Sequence, residues 1–221
     1  MRVTNVFPVW LCLILTVVWH ANASETIETI MQKVEARYDC ESLSADFTQT
    51  SIFAQMDIED NAYGKAMFKY PDKIRWEYET PYPQSIISDG DSLWIYKPEE
   101  NQVIVGKAEA LMGQGKGASF LADIFSIREN FVTTMADTVE KEGCYVLRLE
   151  PKEEIHQLTL VYLFVSRETY LIREVETVNT FDEVTRIAFE DIKLNAAIDD
   201  AQFTFDIPID ADIVALDEPL Q

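Results

Sequence analysis

PYPQSIISDGDSLWIYKPEENQV, residues 81 to 103, decides how the chain is read. It runs strand, turn, strand, then a second turn at Pro98 and the start of another strand. DGDS is a tight turn around Gly90. Leu93, Trp94, Ile95 and Tyr96 follow it without a break. A half-buried strand alternates apolar and polar residues. This one carries large apolar groups on both sides, so both sides need something to cover them.

The neighbouring segments keep the period of two. KIRWEYE points Ile74, Trp76 and Tyr78 one way and Arg75, Glu77 and Glu79 the other. Upstream, Ala45, Phe47, Gln49, Ser51 and Phe53 share one face of a strand; Gly64, Ala66, Phe68 and Tyr70 share one face of the next. Five more strand-like runs follow, near NFVTTM, CYVLRLE, QLTLVYLFV, YLIREVETV and EVTRIAFEDIKL. Two segments differ. Ile27, Ile30, Met31, Val34 and Tyr38 recur at helical spacing in residues 25–38. Residues 106–127 are Gly-rich in the middle and helical at the end, with Leu121, Ile124 and Phe125 on one face. The expected fold is mainly β, a single unclosed antiparallel barrel of about ten to eleven strands built from consecutive hairpins. The helical segments form its lid, because the apolar face of a sheet must be covered. The space between lid and sheet is either filled core or open cavity.

Arg2, the apolar run from Val9 to Trp19 and the small-x-small site Ala21-Asn22-Ala23 read as a secretory signal peptide, residues 1–23. The expected mature domain is then 24–221. Cys12 lies inside the apolar run and not at a cleavage site, which argues against lipid attachment there. The formal net charge is −21, and removing the one charge of Arg2 makes it −22. That excludes nucleic acid and loose adsorption to anionic lipid. It suits a self-repelling soluble monomer, or acidic patches that meet a basic partner surface. Of the three cysteines, Cys40 and Cys144 remain after the leader. In an oxidising compartment they are either a bridge or two separate buried thiols. A bridge is the expectation; it would close a loop of 104 residues (144 minus 40). Such a loop adds up to ~4.7 kcal/mol in the chain-entropy picture.

Catalytic chemistry has little to rest on. The expected mature chain has one histidine, His156, in the charged turn EEIHQ, and no CxxC or HxxxH spacing for a metal. GQGKGAS at 113–119 lacks the spacing of a phosphate-binding loop. No catalytic residue, cofactor or metal is expected, and a hydrolase on a barrel scaffold is the weaker reading.

The order ADFTQ, G-x-A-x-F-x-x-P, RWEYETP, SDGDSLWIY-x-P and Q-V resembles the LolA family of periplasmic outer-membrane lipoprotein carriers. AQFTFDIP at 201–208 looks like the family's closing strand, so the resemblance covers nearly the whole mature chain. It implies an unclosed barrel with a helical lid. It also implies a non-enzymatic periplasmic chaperone that takes acylated lipoproteins from an inner-membrane ABC transporter. Such a carrier shields the acyl chains and delivers them to an outer-membrane acceptor. The alternative on the same fold is a lipid- or lipoprotein-sensing binding protein. The family pattern places Ile74, Trp76 and Ile86 at the acyl-chain cavity. Face and position add Phe47, Phe68, Leu121, Ile124 and Phe125. Two-sided apolar strands would then pack on one side and line a lipid-holding hollow on the other. One departure stands out. The family carries an Arg before the Pro of the third strand, where it bonds the lid to the barrel; here that position is Tyr70, beside Lys69. Tyr70 is the candidate lid latch, with one hydroxyl donor in place of a five-donor fork.

Overall fold

The structure is a computed structural model and describes residues 25–110, 121, 124–155 and 157–216. The expected leader, the GQGKGAS loop and His156 lie outside the described residues.

Thr26 starts the first helix by accepting from Thr29 N, and α1 (Ile27–Tyr38) follows. Its buried residues, Ile30, Met31, Val34 and Tyr38, form the stripe expected from their spacing. Eleven strands then come in chain order: β1 (Ser42–Phe53), β2 (Ile58–Lys69), β3 (Lys73–Thr80), β4 (Gln84–Ser88), β5 (Ser92–Lys97), β6 (Gln102–Lys107), β7 (Phe131–Met135), β8 (Cys144–Pro151), β9 (Leu158–Ser166), β10 (Ile172–Asn179) and β11 (Val184–Leu194). A short helix, α2 (Ile127–Asn130), precedes β7. A twelfth strand, β12 (Asp212–Ala215), ends the described chain.

All twelve make one sheet in the order β12-β6-β5-β4-β3-β2-β1-β11-β10-β9-β8-β7. β12 and β7 are its two edges, so the barrel is unclosed, as expected. Two details differ from expectation. The strands number twelve, and β12 pairs with β6 in parallel, Ile213 beside Val103. AQFTFDIP is not the closing strand. Asp199 accepts from Ala201 N and opens a 3-10 turn, Asp200–Phe203, after which the chain runs irregularly to β12. Pro208 has no N–H to give a ladder.

That tail also explains the two-sided strands. Trp76, Ile86, Ile95 and Ile104 stand in register across β3 to β6 and face the main core. Arg75, Ile87, Trp94 and Val105 are the next rank and point the other way. Phe205 packs against Trp94 and Tyr96 there, with ring centroids 6.5 and 5.3 Å away. Arg75 donates to the Gln202 carbonyl (2.9 Å), and Lys69 and Lys73 pair with Asp200. Ile87, Val103 and Phe203 are fully buried and lie outside the main cluster. The second apolar face of the opening stretch is therefore covered by the protein's own C-terminal segment.

β2 and β3 approach closely at Gly64, where their register shifts. A Cβ there would sit 1.8 Å from the Glu77 carbonyl oxygen and 2.8 Å from the Phe47 ring. Only glycine fits. Cys40 and Cys144 do not form the expected bridge; both are free. β11, β10 and β9 separate β1 from β8. Four strand spacings are about 19 Å, and a disulfide needs Cα atoms within about 7 Å. Cys144 also faces away from the main core, packed with Val146 and Phe164. Burial pushes both thiols above their ordinary pKa.

Candidate functional site

The site grows from the inner face of the sheet. Leu43, Ala45 and Phe47 on β1, Ala66 and Phe68 on β2, and Ile74 and Trp76 on β3 belong to one buried cluster. Ile187 and Phe189 on β11, Val175 on β10, and Val161, Leu163 and Val165 on β9 continue it. α1 covers this face with Ile30, Met31, Val34 and Tyr38. Tyr38 holds the helix down: its hydroxyl accepts from Ile172 N at 3.0 Å. Lys33 donates to Glu25 (2.5 Å) and to the Tyr170 hydroxyl (2.9 Å), a second tie from α1 to the loop before β10.

Trp76 is the centre of an aromatic cluster. Phe47 lies 4.3 Å from it between centroids, Phe68 and Phe189 each 6.1 Å and Tyr78 6.5 Å. Aromatic pairs prefer such tilted and edge-on geometries. Below this cluster the inner face turns polar. Tyr78 donates to Gln49 Oε1 (2.9 Å), and Gln49 donates to Ser51 (3.3 Å). Burial raises the Tyr78 phenol to about 12, tempered by the nearby Trp76 indole.

Six of the eight expected cavity residues, Phe47, Phe68, Ile74, Trp76, Leu121 and Ile124, are buried in this one cluster. Ile86 is half-buried against it. Phe125 does not join them; it is 50 % exposed. The reason is local. Ile124–Ser126 is a 3-10 turn, in which positions three apart eclipse. Leu121, Ile124 and Ile127 share the inward side, each 1 % exposed, and Phe125 is turned outward.

Tyr70 stands where the lid segment meets the barrel. Its hydroxyl donates to the Leu121 carbonyl at 2.7 Å. Burial pushes its phenol well above the ordinary value. A second fastening escaped the sequence reading. Arg128 on α2 donates through Nη1 to both carboxylate oxygens of Glu28 (2.8 and 2.9 Å) and through Nε to Glu35. These partners sit about a hundred positions away on α1, so no local spacing announces them.

On the outer face an open groove of about 480 Å³ lies between β1, β2 and residues 196–202. Asp46, Lys65, Asp191 and Lys193 line it together with Met67, Ala197 and Ile198, so it is an open groove of mixed character. Among the described residues no three His, Cys, Asp or Glu side chains are grouped to hold a metal. Among them, too, no helix is long and apolar enough to cross a membrane.

Residues 39–206 match the family model described as outer membrane lipoprotein carrier protein LolA. The chain is 30 % identical over 201 residues to the outer-membrane lipoprotein carrier protein of Dechloromonas aromatica, covering 91 % of each. It is 30 % identical over 213 residues to the protein of that description from Nitrosomonas europaea, covering 96 % of this chain and 98 % of the relative. Among solved structures, an uncharacterized conserved protein of Thermus thermophilus is similar in fold, with a TM-score of 0.56 at 12 % identity. That match covers 86 % of this chain and 99 % of the other.

Proposed function

The chain belongs to the LolA family, and from that premise we propose that it carries acylated lipoproteins to the outer membrane, holding their acyl chains between the inner face and the lid. It acts as a binding protein and not as an enzyme. One observation carries the reading. The inner face is a continuous apolar surface covered by small helical pieces, and its lid segment is fastened by separable ties: Tyr70 to Leu121, and Arg128 to Glu28 and Glu35.

The energetics agree with a shuttle. Each buried CH₂ is worth ~0.8 kcal/mol, so three acyl chains of about fifteen carbons represent tens of kcal/mol gross. Spontaneous escape from a bilayer is then negligible, and a transporter must extract the cargo. That gross figure also exceeds the ceiling of real affinities, roughly 18 to 21 kcal/mol. The carrier therefore covers the chains loosely and releasably. Tyr70 is the lid latch in this reading, and Phe47, Phe68, Ile74, Trp76, Ile86, Leu121 and Ile124 are the wall. The leader, residues 1–23, exports the chain to the periplasm. There it receives cargo from a lipoprotein-releasing ABC transporter in the inner membrane and passes it to an outer-membrane acceptor.

The test uses energised inner-membrane vesicles that have just made a labelled triacylated lipoprotein. Purified protein (residues 24–221) is added and the membranes are spun out. ATP-dependent appearance of intact lipoprotein in the supernatant, together with this protein, is the expected result. No release, where an authentic carrier works in parallel, overturns the reading.

A further inference from the structure

Two hairpin tips at one end of the sheet carry apolar side chains that the fold leaves uncovered. Met56, Ile58 and Phe181 are 59, 44 and 54 % exposed, and Phe53, opposite Ile58 in the β1–β2 register, is half-exposed. Single exposed apolar residues are ordinary, but a group of them marks a contact surface. These four belong together. β1 lies between β2 and β11, and Ile52 stands opposite Val184, so the β1–β2 and β10–β11 hairpins end side by side. Gln55 donates to the Phe181 carbonyl at 3.3 Å and joins the two tips.

The tips are preordered. Asn179 Oδ1 accepts from Phe181 N (2.9 Å) and Glu183 N (3.0 Å), and its amide donates to the Glu183 carboxylate (2.7 Å). Met56 N donates to the Phe53 carbonyl at 2.9 Å. The β1–β2 tip also projects past β3, because β2 pairs with β3 only from Tyr63 onward. Among the described strands, residues 58–62 of β2 therefore pair with β1 alone. Side chains held this way lose little freedom on binding.

Charge indicates what covers them. Asp57, Glu59, Asp60, Asp182 and Glu183 flank the apolar group, and residues 51–62 and 177–185 contain no Lys or Arg. Arg186, the next cation along β11, is paired with Glu176. A second copy of the chain would set these carboxylates against their own like, and an anionic bilayer repels them too. A protein surface with an apolar recess rimmed by Lys and Arg suits both features.

We propose that the tips of the β1–β2 and β10–β11 hairpins form a docking knob for such a partner protein, with Met56 and Phe181 as the apolar anchors. This rests on the carrier reading, in which the partner is the inner-membrane transporter, and it adds the place of docking. Ile58 and Lys69 bound β2, so the knob lies about 35 Å along that strand from Tyr70. The partner grips one end while the lid opens at the other.

The test measures sedimentation of fluorescently labelled protein (residues 24–221) with energised inner-membrane vesicles, and lipoprotein release from them. Liposomes of the lipids extracted from those vesicles are the control. Met56→Ser with Phe181→Ser is expected to weaken vesicle binding by about tenfold or more, the ordinary cost of truncating central anchors. Release falls with it. The variant still keeps an acylated lipoprotein in solution when the cargo is supplied in detergent that is then removed. Asp57→Lys with Asp182→Lys likewise weakens binding, and wild-type binding drops as salt rises from about 20 to about 150 mM. If either variant binds and releases as well as wild type, the knob is overturned and the carrier reading stands. Equal binding of wild type to the liposomes also overturns it, because a membrane would then be the occupant. So does loss of the detergent-supplied cargo by the Met56/Phe181 variant, which would place these side chains in cargo holding. If wild type releases nothing where an authentic carrier works, the carrier reading falls and takes the knob with it.

Discussion

Tyr70→Phe separates a latch from a core residue, because it removes one oxygen and leaves the ring. Tyr70 packs against the main cluster and donates to the Leu121 carbonyl at 2.7 Å. Losing that bond removes about 0.5–1.5 kcal/mol, and leaving a poorly solvated carbonyl unpaired raises the loss to about 1–3 kcal/mol. Taking about 1–2 kcal/mol, the open population of the lid segment rises roughly 5- to 30-fold. Hydrogen exchange of residues 124–135, followed by mass spectrometry, reads this directly. Exchange should accelerate by that factor, while β9 and β10 in the same digest stay unchanged. Arg128→Gln is the companion. Of its partners Glu28 is solvent-exposed, at 63 % of its side chain, and Glu35 is half-buried, so screening weakens the Glu28 arm of that tie and high salt mimics part of the substitution. Salt leaves the neutral Tyr70 bond alone. If Tyr70→Phe leaves lid exchange within twofold of wild type, the Tyr70 hydroxyl does not hold the lid.

Other outcomes follow from the same geometry. Phe203→Ala, at a fully buried position within the C-terminal strap, should lower unfolding stability by about 3–5 kcal/mol in urea titration; a change under 1 kcal/mol would mean that the strap carries no fold energy. Gly64→Ala forces a methyl to within 1.8 Å of a strand carbonyl, so little soluble folded protein should be recovered; a normal yield and melting curve would contradict the close approach of β2 and β3. Stability should fall as pH rises above about 10. The folded Tyr38, Tyr70 and Tyr78 phenols are all raised, Tyr78 from 10.0 to about 12, so their contribution is complete below the unfolded value and is lost on the way up. Urea midpoints at about pH 9 and about pH 11 measure it, and Tyr70→Phe should flatten the slope. Finally, three cysteines less Cys12 leave two free thiols, so denatured protein purified without reductant should take up two equivalents of a thiol reagent. Zero would restore the bridge.

The strands were legible wherever one face meets water. KIRWEYE alternates cleanly, and β3 points Ile74 and Trp76 inward as read. α1 was legible from its 3-and-4 spacing for the same reason. Errors came where a local pattern had two physical solutions. Leu121, Ile124 and Phe125 suit an α-helical face, but a 3-10 turn substitutes Ile127 for Phe125. Apolar residues on both sides of β5 suit a hollow or a strap, and only the path of residues 196–208 chooses the strap. The cysteine pair was inferred from compartment, and compartment says nothing about which strands lie between two thiols. Arg128 was invisible because ion pairs a hundred residues apart leave no periodicity.

If the protein carries acyl chains as proposed, its latch and its wall have different duties, because their energies differ by an order of magnitude. Apolar contact with several acyl chains is worth tens of kcal/mol gross, and the Tyr70 bond about 1–2 kcal/mol net. The latch therefore cannot decide whether cargo stays. It decides how often the inner face is uncovered, and so how fast cargo enters and leaves. A neutral phenol suits that duty. Burial holds its proton on well above neutral pH, so it donates with the same strength across the physiological range and at any ionic strength. A guanidinium in its place would make the opening rate depend on nearby carboxylates and on salt, in a chain that already carries a net charge of −21. A Tyr at this position, where the family resemblance implies an Arg, thus takes this one fastening out of salt control and leaves the salt-dependent part of lid opening to Arg128 with Glu28 and Glu35. Salt should then alter docking strongly and, through Tyr70, cargo access hardly at all.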